Sequence, residues 1–369
     1  MKKWKVDKPF LLSVVILVVA GFFIFSSASL GLLARNTTQY SSVAFSQTVL
    51  GLFMGSIALL ITSRTDQKLW KKYAFYLLCI AVVLNILVLI PHIGFEHGGA
   101  RRWFMFGGVS FQPSELLKLG FVVYFAAWAS GMKKKMESFK YGFLPLLFLF
   151  LLCGALLLKQ PDTDTFMMIV FSGIAMFLSA GGKWRYVSYL VIGGMLGLAL
   201  LAFTRPYVMA RIKTFINPQS NSQGSSYQLQ QSLIAIGSGG MSGRGFGQSI
   251  QKFNFLPEPI GDSIFAVQAE EFGFIGATTL ILMFVFFATR GLKIASRVSD
   301  PFSRLLVVGI VIMITAQAFV NIGAMLGVLP LSGITLPFVS HGGTSLFITL
   351  LEVGIVLSIS KTQTLSKRP

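Results

Sequence analysis

The sequence predicts an all-α integral membrane protein: a bundle of about ten transmembrane helices in a single domain over residues 1–369. Three observations predict it. The chain is 54% hydrophobic and only 12% charged, with a mean hydropathy of +0.73, whereas a soluble domain carries roughly 25% charged residues. Apolar runs of about 17 to 25 residues recur along the sequence, each able to cross a hydrocarbon layer of roughly 30 Å. The 31 Lys and Arg residues, which give a net charge of +18, lie mostly in short segments between the runs. That distribution is a topological signal, and no nucleic-acid partner is expected from it.

The runs place candidate spans at 9–29, 43–62, 73–90, 114–131, 142–158, 165–180, 186–203, 263–288, 305–326 and 342–360. The basic start up to Lys8 followed by an apolar stretch has the outline of a signal peptide. It lacks a convincing cleavage site and reads as a retained first span. About two-thirds of the basic residues fall at the termini and near Arg64, Lys134, Lys183 and Lys293, so the positive-inside rule puts both termini in the cytoplasm and requires an even number of spans. Cys79 and Cys153 sit inside apolar runs and read as small buried hydrophobes, with no disulfide or metal-ligand spacing.

Two segments on the opposite side are longer than helix connections need to be. The larger, an extracytoplasmic loop over residues 204–262 between the seventh and eighth helices, contains Gln228 to Ile236 with apolar residues at helical spacing. A glycine-rich turn from Gly237 to Gly247 follows, so a short amphipathic helix near the membrane surface is predicted. The smaller, 91–113, sets Gly98, Gly99, Gly107 and Gly108 around Arg101, Arg102 and Trp103 and reads as a shaped loop.

Chemistry is expected where charge is costly. Glu115 and Lys118 fall three residues apart inside an apolar run, on one face of the fourth helix, and form either a structural ion pair or a polar contact for substrate. Asp262 stands where the long loop enters the eighth span. It can cap that helix through its carboxylate, and at a membrane surface it can also serve as a general base. Glu270 and Glu271 lie two turns further on, and Glu258 sits between two prolines. Arg101, Arg102, Arg205, Arg211, Lys213, Arg244 and Lys252 form an external basic set suited to a diphosphate or similar anion. His92, His97 and His341 lack zinc-site spacing, and no protein metal ligands are expected.

In motifs that run in order along nearly the whole chain, the sequence resembles the SEDS family (shape, elongation, division and sporulation proteins), nearest to its division branch. The motifs are Gly99-Ala100-Arg101-Arg102-Trp103, Pro113-Ser114-Glu115-Leu116-Leu117-Lys118, Gln160-Pro161-Asp162, Gln231 to Gly240, Gln251-Lys252-Phe253, Leu256-Pro257-Glu258-Pro259, Glu270-Glu271-Phe272-Gly273 and Leu336-Pro337-Phe338-Val339-Ser340. The resemblance implies a ten-helix fold and polymerisation of lipid II into glycan strands, with Asp262 required. It also implies substrate contacts through Arg101, Arg102, Glu115, Lys118, Lys252, Glu258, Glu271 and Ser340. The implied partners are a class B penicillin-binding transpeptidase and other divisome membrane proteins at the septum of the cytoplasmic membrane. A divalent cation, Mg or Mn, is a further expectation for balancing the leaving diphosphate. The chain departs from the family pattern at Ile260-Gly261 before Asp262 and Ser263 after it, at Thr163-Asp164 and at His341. The rival readings are a lipid II flippase, with Glu115 and Lys118 lining a polar path, and a scaffold that only recruits partners.

Overall fold

The computed structural model describes residues 6–97, 100–106, 109–204, 206–217 and 224–362. Gly98, Gly99, Gly107, Gly108 and Arg205, singled out above, lie outside the described residues. Helices begin where the sequence supplies caps. Asp7 accepts from Phe10 N at 3.0 Å to start α1 (Lys8–Ala28), which carries a proline in its first turn. Ser29 keeps helical dihedrals, so α2 (Leu30–Arg35) continues α1 into one stretch of 28 residues, longer than the predicted 9–29.

The second span runs through α3 (Thr37–Phe45), a π-helical stretch (Ser46–Met54) and α4 (Gly55–Thr62). Then follow α5 (Gln67–Leu87), α6 (Pro113–Met132), α7 (Leu144–Lys159), α8 (Thr163–Ser179) and α9 (Trp184–Thr204). The long loop contains α10 (Pro206–Ile216) and α11 (Ser225–Ser238), and α11 covers the predicted amphipathic segment. The chain closes with α12 (Ile264–Arg297), α13 (Pro301–Met325) and α14 (Gly343–Ser360). Helix α12 runs well past the predicted 263–288, and within that extension Arg290 pairs with Asp7, the cap residue of α1, at 2.8 Å.

Among the described residues, eight helical stretches are long and apolar enough to cross a membrane. The other two predicted spans are also helical: α6, with 20 residues, and α8, a shorter apolar helix of 17. The protein is therefore a multi-pass helical bundle. Burial separates its centre from its rim, since 78% of the most apolar stretch of α13 is enclosed by protein against 11% of α9. In lipid the packing of centre helices relies on close approach and shared hydrogen bonds more than on apolar burial. The contact of α14 with α4 shows both. A side chain at Gly354 would collide with Thr62 Oγ1 and with the Leu59 backbone, and Thr62 Oγ1 donates across the interface to Leu351 O at 3.0 Å.

The segment predicted as a shaped loop is a small antiparallel sheet, an addition to the expected all-α architecture. Strands β1 (Phe95–His97), β2 (Ala100–Phe106) and β3 (Val109–Phe111) pair in the order β1-β2-β3, with Glu96 opposite Arg101 and Phe104 opposite Phe111. In the sequence, two glycine pairs flank the aromatic-rich stretch of β2, and paired glycines between such stretches are hairpin signals. Replacing Gly354 with Val should cost about 1–3 kcal/mol by overpacking and lower the unfolding temperature in detergent. The same change at Gly194 of α9, which has nothing within 4 Å of its would-be side chain, should leave that temperature unmoved.

Candidate active site

The 204–262 segment is anchored where α12 breaks. Gly273 adopts φ 64°, a left-handed conformation that interrupts the helical dihedrals nine residues after Ile264. The glycine-rich turn occupies the gap. Phe274 N and Ile275 N donate to the carbonyls of Gly240 and Met241 at 2.8 and 3.2 Å, while Arg244 N and Gly245 N donate to those of Glu270 and Glu271, both at 3.0 Å. Backbone groups freed by the break are thereby satisfied without water, as a membrane interior demands.

Carboxylates reinforce the joint. Glu270 accepts from Ser249 Oγ at 2.6 Å, Ile250 N at 3.1 Å and Gln251 N at 3.3 Å, with Arg244 at 3.5 Å. Glu271 pairs with Lys252 at 2.7 Å, and Lys252 also donates to Ser27 Oγ at 2.9 Å and Gly247 O at 2.8 Å. Lys252 and Glu271 were expected to contact substrate; their side chains are 0% and 1% exposed, and they bind each other inside the protein.

The backbone around Asp262 is clamped on three consecutive residues. Ile260 O accepts from His341 N at 2.7 Å, Gly261 O from Ser340 Oγ at 2.7 Å, and Asp262 O from Asn321 Nδ2 at 2.8 Å. Ser340 Oγ is itself oriented by Leu336 N at 2.7 Å, and Asn321 also donates to Ile334 O at 2.7 Å. Gln47, in the π-helical stretch, grips the same loop by donating to Ser340 O at 3.2 Å and accepting from Gly342 N at 3.0 Å. Ser340, expected to touch substrate, thus acts on Asp262 through the backbone. Burial pushes the His341 imidazole down to about 4, so that ring stays neutral near pH 7.

The side chain of Asp262 is left available. Helix α12 takes Ser263 as its N-cap, so the capping role open to Asp262 in the sequence is not the one it has. Among the described residues no hydrogen-bond donor engages its carboxylate. Its carboxyl group is pushed up to about 7, first by burial against neighbouring atoms although part of the residue stays accessible. The nearby charges of Glu258 and Asp164 push it further in the same direction, and Arg211 and Arg102 oppose the shift. Glu258 is exposed, and its main-chain carbonyl accepts from Gly261 N and Ser263 N at 3.1 and 3.2 Å, which shapes the turn before α12.

The structure divides the remaining candidates. Arg102 reaches inward and donates Nε to Gln160 O at 2.8 Å and Nη2 to Pro161 O, which sets β2 against the turn before α8. Arg101, next along the strand, pairs instead with Glu96 at 2.8 Å on a more open face. Asp162 caps α8 through Thr165 N, and its carboxyl is raised by burial, with Arg102 opposing and Asp164 adding to the effect.

Glu115 and Lys118 do form a pair, at 3.0 Å, and Lys118 donates to Gln317 of α13 at 2.9 Å. Their described partners lie within the bundle, where Glu352 of α14 faces the same pair. Glu352 was missed in the sequence, although a carboxylate inside an apolar run was the criterion that found Glu115. Asp164 was missed as a site residue, and Arg211 was only one of several external cations; the two form an ion pair of 3.0 Å beside Asp262. Among the described residues no three His, Cys, Asp or Glu side chains converge closely enough to hold a metal ion.

Removing one partner of a buried ion pair leaves the other charge uncompensated, at a cost of about 3–5 kcal/mol. Lys252→Met should destabilise the protein on that scale in thermal unfolding, and adding Glu271→Leu should recover most of the loss.

Similarity to known proteins accords with this arrangement. A family model described as cell cycle protein, covering FtsW, RodA and SpoVE, matches residues 8–365. Stage V sporulation protein E of Bacillus subtilis is 39% identical over 84% of this chain and 84% of its own length. A probable peptidoglycan glycosyltransferase FtsW of Saccharophagus degradans is 38% identical over 96% of this chain and 92% of its own. Among solved structures, a chain of a peptidoglycan synthase complex that coordinates polymerization and crosslinking superposes with a TM-score of 0.79 at 25% identity, covering 96% of this chain and 97% of that one. The rod shape determining protein RodA of Thermus thermophilus does so with a TM-score of 0.70 at 27% identity, covering 98% and 99%. A match over nearly the whole chain, with relatives this similar across most of their length, places the chain in the FtsW, RodA and SpoVE family of cell cycle proteins, the SEDS family that its sequence motifs resemble.

Proposed function

We propose that this protein is a peptidoglycan glycosyltransferase that polymerises lipid II on the outer face of the cytoplasmic membrane, with Asp262 as general base. The observation that carries the reading is a single carboxyl raised to about 7, fixed through its backbone from three sides and faced by two guanidinium groups. A base whose pKa sits near the working pH combines a useful deprotonated fraction with real proton affinity. FtsW relatives that bear the name peptidoglycan glycosyltransferase, and the synthase complex whose chain superposes on this one, support the assignment.

In the reaction, the 4-hydroxyl of an acceptor N-acetylglucosamine attacks the anomeric carbon of a donor N-acetylmuramic acid. Asp262 takes the hydroxyl proton as the new C–O bond forms. The bond from the anomeric carbon to undecaprenyl diphosphate breaks, and the leaving group keeps the electron pair. Direct displacement inverts the anomeric centre and gives a β-linked strand. Arg102 and Arg211 face Asp262 and supply positive charge where the diphosphate departs.

Positive-inside topology puts both termini in the cytoplasm and the 204–262 segment outside, where lipid II presents its sugars. A class B penicillin-binding transpeptidase is the proposed partner, as the superposition on a complex of polymerization and crosslinking supports. Division at the septum, among other divisome membrane proteins, is the proposed setting.

Purified protein supplied with its transpeptidase partner and lipid II should yield glycan strands on a gel, and Asp262→Asn should yield none above about 0.1% of wild type. Wild-type levels of polymer from that variant would end the assignment. The pH profile follows from the same group. A base raised to about 7 is mostly protonated below that pH, so the polymerisation rate should climb as pH passes from 6 to 8. Above that range the rate should level off, as read from initial rates in a series of buffers. A rate flat from pH 5 to 8 would contradict the shift.

A further inference from the structure

Asp164 takes no part in the proton transfer, yet charge and hydrogen bonding converge on it. Arg211 Nη1 lies 3.0 Å from Oδ2 and 3.3 Å from Oδ1, and the main-chain N–H of Gly333 donates to Oδ2 at 3.1 Å. The three residues come from α10, the first turn of α8 and the loop before α14, so one carboxylate ties three elements together. The tie is beside the reaction centre. A side chain at Gly333 would stand 3.7 Å from Asp262 Oδ2, 3.8 Å from Arg211 Nη2 and 4.0 Å from Asp164 Oδ2. Arg211 is the more open partner, at 31% exposure against 12% for Asp164. A guanidinium that grips a carboxylate can grip a diphosphate through the same donors and with more opposing charge.

We propose that Asp164 is a resident carboxylate that occupies Arg211 until a polyprenyl diphosphate takes its place, an anion exchange that also unties α10 from α8. The inference rests on the lipid-diphosphate reading above and extends it, because Asp164 becomes a positioning residue that sets how readily the leaving group is gripped. Holding Arg211 on Asp164 lowers apparent affinity, since only molecules with Arg211 released can bind through it. Asp164 is also, among the described residues, one of four charged groups facing Asp262, with Glu258, Arg211 and Arg102.

The test uses the full-length protein in lipid nanodiscs and undecaprenyl diphosphate as the probe, with equilibrium binding measured apart from turnover. Asp164→Asn should bind the probe about 5-fold more tightly than wild type, and Arg211→Gln about 10-fold more weakly. The double variant should match Arg211→Gln alone, because Asp164 acts through Arg211, and Asp164→Glu should stay within about 2-fold of wild type. Asp164→Asn should also move the acid limb of the polymerisation profile to lower pH, since Asp262 loses a like-charged neighbour; the dependence of the affinity gain on Arg211 is what a merely structural tie would not produce. Unchanged or weaker binding in Asp164→Asn, or a gain that persists without Arg211, would overturn the proposal. Asp164→Ala and Arg211→Met give the same comparison if the first variants melt early. Wild-type protein that binds the probe but makes no glycan would defeat the polymerase reading and leave the exchange standing; equal affinities in wild type and Asp164→Asn would do the reverse.

Discussion

A membrane interior offers no water to a backbone group without a partner, so any departure from regular helix there has to be answered by another part of the protein. Helix α12 departs at Gly273, and the answer comes from the glycine-rich turn, whose N–H and C=O groups meet those freed by the break. The joint fixes the far end of the 204–262 segment, and the short helical section from Ile264 onward runs from that joint to Asp262. Glu270, Glu271 and Lys252 hold it from inside. These conspicuous acidic residues of the span are therefore committed to partners inside the protein, and they fix the element that carries Asp262.

The near end is held differently. Ser340, Asn321 and the His341 N–H each take one carbonyl of the run 260–262, and Gln47 steadies the loop that brings two of them. Precision comes from the main chain, while the side-chain carboxylate of Asp262 accepts from no donor among the described residues. Its environment is set by a balance of opposed terms: burial, Glu258 and Asp164 on one side, Arg211 and Arg102 on the other.

Much of this was legible in the sequence. Composition and run length gave the bundle, all ten predicted positions are helical, and Asp262 stood out at a loop-to-span junction. Period-3.6 spacing found α11. What escaped reading depends on contacts between distant segments. Asp164 and Arg211 are 47 positions apart, and nothing local marks them as partners. Lys252 and Glu271 looked like site residues because charge near a membrane usually is functional, and only packing shows that they neutralise one another. The sheet was overlooked for a different reason: its strands are three and seven residues long, too short for an alternation to stand out among so many apolar helices. Glu352, a carboxylate inside an apolar run, carries the same sequence signal as Glu115.

Arg102 gives most of its described hydrogen-bonding capacity to carbonyl oxygens, whereas Arg211 lies against a carboxylate. The first keeps its unit charge without a direct counter-ion among the described residues; the second contributes little net field beyond its own contact. At physiological ionic strength such a field fades over about 8 Å. These two groups thus act on a lipid-borne anion at contact range, and confinement to the same two-dimensional sheet is what brings the carrier within it.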